Sequence, residues 1–144
     1  MHDIPLELID LQGDGYHIIV EVELFGQNFQ MVVDTGASKT VLDKNTLLSS
    51  GIDEDKILSS DLLSTGLGTN NMESYTLCLD SLKIGEWVKT NYTVAVLDLS
   101  TINYAYEQIG LSPVIGVLGS DLLKDHQAVI DYNSMRLSLQ FASV

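Results

Sequence analysis

Apolar and polar residues alternate in the N-terminal part of the chain. In the segment "YHIIVEVELFG" (Tyr16–Gly26), valine and leucine alternate with two glutamates. A period of two is typical of a strand with one buried face. The following "FGQNF" predicts a hairpin turn, after which "FQMVV" returns as a second strand towards Asp34. The earlier segment Ile4–Leu11 also alternates roughly and predicts another strand.

Further short strands and a few helical segments occupy the rest of the chain. Strands are predicted at "TVL" (Thr40–Leu42), Met72–Gly85, Thr90–Leu99, Pro113–Gly119 and in a final hairpin around Asn133–Ser134. Helices are predicted at Asp43–Gly51, Ser100–Gly110 and Ser120–His126, the first with Asp43 as its N-cap. Many short strands with few helices predict an all-β fold, a single compact β-barrel-like domain over residues 1–144.

Composition and charge exclude several kinds of partner. The chain has 144 residues and a formal net charge of −13. We expect neither nucleic acid nor an anionic membrane as a main partner, because both attract clustered Lys and Arg. The sequence has no apolar run of about eighteen residues and no signal-like N-terminus. We therefore expect a soluble, cytoplasmic protein, or a periplasmic one if a signal peptide has been removed.

Cysteine and histidine are sparse. The single cysteine, Cys78, excludes an intrachain disulfide and lies mid-strand, so we expect a small packed thiol. His2, His17 and His126 are scattered, without the spacing of metal ligands. The sequence therefore predicts no metal and no cofactor. Trp87 follows a glycine turn and is expected to be a packing residue.

The segment "FQMVVDTGASKTVLD" (Phe29–Asp43) places an acid at the end of an apolar strand. Ionising a carboxylate there is costly unless hydrogen-bond donors surround it. Asp34 is therefore either a turn residue whose side chain bonds its own backbone, or a working carboxylate. A weak echo of this segment, "VIGVLGSDLL", occurs near the C-terminus with a glycine turn but no acid before that glycine.

Together these motifs resemble the retropepsins, the retroviral-type aspartic peptidases, and their bacterial relatives. "VVDTGAS" is similar to the active-site signature of that family. "TGLGTNN" (Thr65–Asn71) lies where the substrate-covering flap would be, and "VLGSDLL" (Val117–Leu123) resembles the late glycine motif with its helix. The chain departs from the viral pattern at Ser120, where viral members often carry Arg. The helical insert Ser100–Gly110 resembles bacterial members.

The resemblance implies a retropepsin-type barrel, closed or partly open, that acts as a homodimer and hydrolyses peptide bonds. Asp34 would be the catalytic acid, and Gly36 would let the backbone turn and offer its N–H to the carboxylate. Thr35 would bond across the dimer axis, Ala37 would allow close packing, and Ser38 would support the loop. The substrate-binding flap would include Gly66, Leu67 and Gly68.

The chain contains only one Asp-Thr/Ser-Gly triplet. Asp98, Asp121 and Asp131 are not followed by Thr-Gly or Ser-Gly, and we expect capping or surface roles for them. The second carboxylate would then come from Asp34 of another copy, across a two-fold axis. The alternative is a weakly active or inactive dimer of the same fold that binds extended peptides by strand pairing.

Overall fold

A computed structural model describes residues 2–60 and 74–141 of the chain. These residues form eleven strands, three α-helices and one 3₁₀ turn at Glu54–Lys56. The strands are β1 (His2–Pro5), β2 (Glu7–Asp10), β3 (Tyr16–Leu24), β4 (Gln27–Val33), β5 (Val41–Asp43), β6 (Leu58–Ser60), β7 (Ser74–Ile84), β8 (Trp87–Leu97), β9 (Gly116–Leu118), β10 (Val129–Asp131) and β11 (Arg136–Leu139). The helices are α1 (Lys44–Ser49), α2 (Ser100–Gln108) and α3 (Ser120–Asp125).

Six of these strands close into a barrel. They follow the order β3-β4-β9-β5-β8-β7, and β7 pairs back with β3 through Glu23–Lys83 and Leu24–Leu82. Strands β2 and β6 extend the same sheet outside this ring. Closure gives every strand of the ring at least two neighbours, so the ring has no open edge. The predicted all-β barrel with short helices is confirmed.

The hairpin of β3 and β4 forms as predicted. Leu24 pairs with Gln27, which leaves Phe25 and Gly26 as a two-residue loop. Both loop residues have positive φ, 52° and 73°. Positive φ at both central positions gives a turn whose twist matches that of the flanking strands. On β3 itself, Val22 and Leu24 are buried and Glu21 is exposed, as the alternation predicts.

The first predicted strand, Ile4–Leu11, is wrong as a single element. It divides into β1 and β2, which belong to different sheets. Strand β1 joins β11 and β10 in a separate three-stranded antiparallel sheet. Strand β1 ends at Pro5, which has no N–H to donate to a neighbouring strand. The next residue, Leu6, donates its N–H to the Met135 carbonyl at 3.0 Å, before β2 begins at Glu7 in the other sheet.

The side chain of Asp43 fixes the start of α1. It is buried and accepts a hydrogen bond from the Thr46 N–H at 3.2 Å, so the predicted N-cap is confirmed. Asp43 also accepts from the Leu99 N–H at 2.9 Å and from the Asn103 amide at 3.2 Å. One carboxylate thereby ties α1 to the start of α2.

Two further predictions about single side chains have opposite outcomes. Trp87 is fully buried and its indole N–H donates to the Gln140 carbonyl at 3.0 Å, which confirms its packing role. Cys78 is exposed on β7, so the predicted packed thiol is wrong. Leu77 and Leu79 beside it point into the barrel, and a period of two therefore directs Cys78 outward.

Among the described residues, no helix has both the length and the apolar character that crossing a membrane requires. One domain over residues 1–144 stays a prediction.

Candidate active site

Asp34 lies where three strands of the barrel meet. Strand β9 runs between β4, to which it is parallel, and β5, to which it is antiparallel. The loop that joins β4 to β5, residues 34–40, is called the Asp34 loop below. The N–H of Asp34 donates to the Leu118 carbonyl at 3.0 Å, which continues the ladder one residue beyond β4. The barrel thus fixes the backbone on which the carboxylate stands.

The residues after Asp34 form a tight turn around its side chain. The Gly36 N–H donates to Oδ1 of Asp34 at 2.9 Å, and the Ala37 N–H donates to the Asp34 carbonyl at 3.2 Å. Asp34, Thr35, Gly36 and Ser38 are exposed, and Ala37 is half-buried. Within the described residues, Oδ2 of Asp34 has no hydrogen-bond partner. The carboxylate therefore stabilises the turn with one oxygen and presents the other to solvent.

The late glycine motif supports the Asp34 loop by close backbone contact. A Cβ at Gly119 would lie 2.4 Å from the Lys39 carbonyl oxygen. Just before the motif, a Cβ at Gly116 of β9 would lie 2.1 Å from the Val41 carbonyl oxygen of β5. Any side chain at these positions would push the two segments apart. The next residue, Ser120, donates its N–H to the Ala37 carbonyl at 2.7 Å. The two segments that echo each other in sequence are thus in direct backbone contact, which the sequence analysis did not predict.

A cavity of about 270 Å³ opens beside Asp34 and Thr35. Its apolar lining includes Val32, Val117 and Ile102. Aromatic and polar lining comes from three tyrosines and a histidine, namely Tyr16, Tyr106, Tyr132 and His17. The cavity is large enough for an amino-acid side chain and lies next to the carboxylate.

His17 and Tyr106 meet in the lining of this cavity. The Nδ1 atom of His17 lies 2.6 Å from the Tyr106 hydroxyl, within hydrogen-bond distance. Burial raises the pKa of Tyr106, so its hydroxyl stays protonated and able to donate. Sequence reasoning missed this pair, which is 89 residues apart, and the scattered histidines carry no local signal for it.

Asp98 and Asp131 each bond a backbone N–H two residues further along the chain, and Asp98 also accepts from the Asn45 amide at 3.3 Å. Asp98 accepts from the Ser100 N–H at 2.9 Å, and this bonding to Ser100 lowers its pKa. Asp131 accepts from the Asn133 N–H at 2.8 Å, and bonds from the Ser134 region lower its pKa. Both side chains are exposed, in agreement with the expected capping or surface roles.

Asp121 differs from the expected surface acid, because it is half-buried and reaches back to the Asp34 loop. Its Oδ1 accepts from the Thr40 hydroxyl at 2.8 Å and from the Leu122 N–H at 2.8 Å. Its Oδ2 accepts from the Tyr92 hydroxyl at 2.9 Å. Sequence reasoning placed Asp121 beside the late glycine but did not predict these contacts.

Two site predictions remain, namely the substrate-binding flap and the lack of a metal site. The predicted flap residues Gly66, Leu67 and Gly68 lie outside the described residues. Within residues 2–60 and 74–141, no three His, Cys, Asp or Glu side chains converge in a way that could hold a metal ion.

Comparisons with known proteins agree with this geometry. A model of the family described as "Aspartyl protease" matches residues 20–122. The retroviral protease-like domain of Ddi1 from Leishmania major is similar in structure, with a TM-score of 0.58 and 16% sequence identity over 84% of this chain and 86% of that chain. A retropepsin-like aspartic protease from Rickettsia conorii is also similar, with a TM-score of 0.56 and 25% identity over 99% of this chain and 91% of that chain.

No curated protein sequence matches the chain significantly. The family match spans more than two thirds of the chain and includes the Asp34 loop and all of the late glycine motif except Leu123. The two structures share its barrel. The chain therefore belongs to the aspartyl protease family, has a retropepsin-like fold and is an aspartic peptidase.

Proposed function

We propose that the protein is a homodimeric endopeptidase whose catalytic pair consists of Asp34 from each of two protomers. The single Asp-Thr-Gly triplet supports this proposal, since one chain supplies only one such carboxylate. The exposure of Asp34, whose Oδ1 alone is bonded within its own turn, is the observation that carries it. A two-fold axis through this surface would bring two equivalent carboxylates together.

The chemistry follows from the proximity of two like charges. Two carboxylates a few ångströms apart cannot both ionise easily, so the pair holds one proton near neutral or mildly acidic pH. The ionised member removes a proton from a bound water, whose oxygen adds to the peptide carbonyl. The protonated member supplies a proton to the substrate, and the amine leaves as the C–N bond breaks. Titration then belongs to the pair and gives a bell-shaped pH–rate profile.

The neighbouring residues take supporting roles in this proposal. Gly36 holds Oδ1 of Asp34 through its N–H. Thr35 bonds across the dimer axis, a role that rests on the sequence resemblance alone. Ala37 and Ser38 support the loop against the late glycine motif. Gly66, Leu67 and Gly68 form the flap over the substrate, a proposal that rests on the sequence resemblance alone.

The substrate proposed here is an extended peptide or protein segment with an apolar side chain next to the cleaved bond. Val32, Val117 and Ile102 in the cavity beside Asp34 support this preference, because they offer an apolar surface to that side chain. The location, cytoplasmic or else periplasmic, stays a prediction.

Asp34→Asn is the direct test of the catalytic role. The amide keeps the size of the side chain but cannot take part in the shared proton, so peptide hydrolysis should fall by about three orders of magnitude or more. Asp10→Asn is a matched control. Asp10 also ends a strand and accepts the N–H two residues on, Gln12, at 2.9 Å, the same distance as in the Asp34 turn. If both variants hydrolyse peptide at the wild-type rate, Asp34 is a turn residue only.

Mixing subunits tests the dimer. After complete exchange in an equal mixture of wild type and Asp34→Asn, about a quarter of the dimers carry two intact carboxylates. Activity per wild-type subunit should therefore fall to about half, whereas an equal mixture with Asp10→Asn should lose none. An unchanged rate after verified subunit exchange would exclude a shared catalytic pair.

The second candidate function, a peptide-binding dimer without useful turnover, is distinguished by calorimetry. It requires measurable peptide affinity in the wild type together with no hydrolysis that depends on Asp34. The intact Asp34-Thr35-Gly36 sequence favours the peptidase.

A further inference from the structure

Asp121 accepts three hydrogen bonds from three different parts of the chain. Thr40 ends the Asp34 loop, Leu122 belongs to α3, and Tyr92 lies on β8. Both oxygens of the carboxylate are engaged, and all three partners act as donors. An ionised carboxylate is the form that accepts from three donors at once.

The electrostatics of the cluster agree with this protonation state. Burial by itself would raise the pKa of Asp121, but the bonds from Thr40, Leu122 and Tyr92 outweigh it and hold the pKa below its usual value. Burial and the negative charge of Asp121 raise the pKa of Tyr92, so its hydroxyl remains a donor. The other charged groups near Tyr92 are Asp125 and Lys89, whose Nζ lies 5.0 Å from the Tyr92 ring.

Thr40 transmits the position of Asp121 to the loop. Its side chain is buried, and its hydroxyl donates to Asp121 while accepting from the Gly119 N–H at 3.1 Å. Because the proton of the hydroxyl is directed at Asp121, its lone pairs are left to face Gly119. The carboxylate thereby sets the orientation in which Thr40 holds the late glycine motif.

The Asp34 loop has three anchors on the segment of residues 118–121. Asp34 bonds to Leu118 at its start, and Ala37 bonds to Ser120 in its middle, both through backbone atoms. The third anchor, at the end of the loop, depends on side chains. The Thr40 hydroxyl accepts from the Gly119 N–H and donates to the Asp121 carboxylate. A bond between backbone atoms survives most substitutions, whereas the side-chain anchor depends on residue identity.

We propose that Asp121 is a positioning residue for catalysis. It holds the Asp34 loop in the position from which the Asp34 carboxylates of two protomers can share a proton. The inference rests on the proposed catalytic role of Asp34. Tyr92 has the supporting part, because its hydroxyl fixes the second oxygen of Asp121 from β8. Thr40, Tyr92 and Asp121 do not line the cavity beside Asp34, so in this proposal they act on Asp34 through the loop.

Asp121→Ala removes the acceptor and should loosen the loop. With the carboxylates less well placed, kcat should fall about tenfold or more while KM stays within about threefold. The bell-shaped pH–rate profile should also become narrower by about 0.5 pH unit. The reason is that a weaker interaction between the two Asp34 carboxylates reduces the separation of their two apparent pKa values.

Two companion variants separate positioning from general damage. Asp121→Asn keeps an oxygen for Thr40 and can donate its amide to the Tyr92 hydroxyl, so it should restore kcat to within about threefold of wild type. Asp125→Ala removes an exposed acid from the same helix and should leave kcat and the bell unchanged. All rates are measured at several protein concentrations, with the folded and dimeric fractions determined beside them.

The proposal is overturned if folded, dimeric Asp121→Ala keeps wild-type kcat, or if it loses activity without a narrower bell. If Asp121→Ala does not fold, Tyr92→Phe decides the question. It should lower kcat about threefold with a narrower bell, and wild-type behaviour would reject the positioning role. An inactive Asp34→Asn beside an unaffected Asp121→Ala overturns the positioning role only. An active Asp34→Asn overturns the proposed function and this inference with it.

Discussion

Replacing Gly119 with alanine should reduce activity through steric displacement of the Asp34 loop. Gly119 has φ −97° and ψ 178°, a conformation open to alanine, so the substitution introduces no backbone strain. The new methyl group, however, would lie 2.4 Å from the Lys39 carbonyl oxygen and 2.9 Å from the Thr40 nitrogen. Ordinary contact begins at 3.4 Å, so the loop must move by about 1 Å.

The size of the effect follows from that displacement. Overpacking of this kind typically costs about 1–3 kcal/mol of unfolding free energy. A shift of about 1 Å in a catalytic group can lower the rate by about a hundredfold. The Gly119 N–H bond to Thr40 and the Ser120 N–H bond to Ala37 should lengthen together, since both cross the same contact. We therefore expect a loss of kcat far larger than the loss of folded protein.

The assay compares kcat with the free energy of unfolding in urea, and uses Gly51→Ala as its control. Gly51 has φ +90° and open space around its Cβ position, so alanine there strains the backbone by roughly 1 kcal/mol without touching the Asp34 loop. Gly51→Ala should lose stability and keep kcat. Wild-type kcat in Gly119→Ala, or an activity that merely follows its folded fraction, would refute displacement of the loop as the cause.

Two predictions concern stability. Asp43→Ala should lower the free energy of unfolding in urea by about 3 kcal/mol, because it removes the cap of α1 and leaves the Leu99 N–H without its acceptor. The control Asp98→Ala removes an exposed acid and should cost less than about 1 kcal/mol, so equal effects of the two variants would contradict the role of Asp43. The pKa of His126 lies below its ordinary value of 6.5, because its ring is buried and the positive Nζ of Lys89 lies 2.9 Å from its Nε2 atom. The Gln140 carbonyl and Asp125 have the opposite, weaker effect on this pKa. The folded state therefore favours neutral His126, so this contribution to stability is complete above pH 6.5 and is lost as the pH falls through the lowered pKa. Urea unfolding at about pH 7.5 and 5.5 should show a smaller pH-dependent loss in His126→Gln than in the wild type, and identical losses would show that His126 does not contribute.

Local features of this protein could be predicted because they depend on residues close together in the chain. The β3–β4 hairpin follows from alternation along β3, a two-residue loop and a second apolar strand after it. Helix α1 follows from an acid placed three residues before the N–H that it caps. The turn at Asp34-Thr35-Gly36 is of the same kind, since its hydrogen bonds span two or three residues. Such contacts form with little loss of chain entropy, and their sequence signals are correspondingly clear.

The positions of strands were easier to predict than the side on which a strand is buried or the sheet that it joins. The alternation around Cys78 places it opposite Leu77 and Leu79, but alternation does not say whether that opposite face meets solvent or another layer. Likewise, the pattern of Ile4–Leu11 indicates strand but not the sheet to which each half belongs. Both questions depend on which elements pack nearby, and the sequence pattern within one strand carries no information about that.

The sequence by itself therefore determined the strand-rich class, the Asp34 turn and the late glycine segment. Only the tertiary structure decided that β9 lies between β4 and β5, that His17 meets Tyr106, and that Asp121 reaches Thr40. The last two pairs are 89 and 81 residues apart, so neither belongs to a local motif of the chain. Their side chains meet because strand pairing aligns distant segments, and the free energy of that pairing is shared by the whole barrel rather than by any local motif.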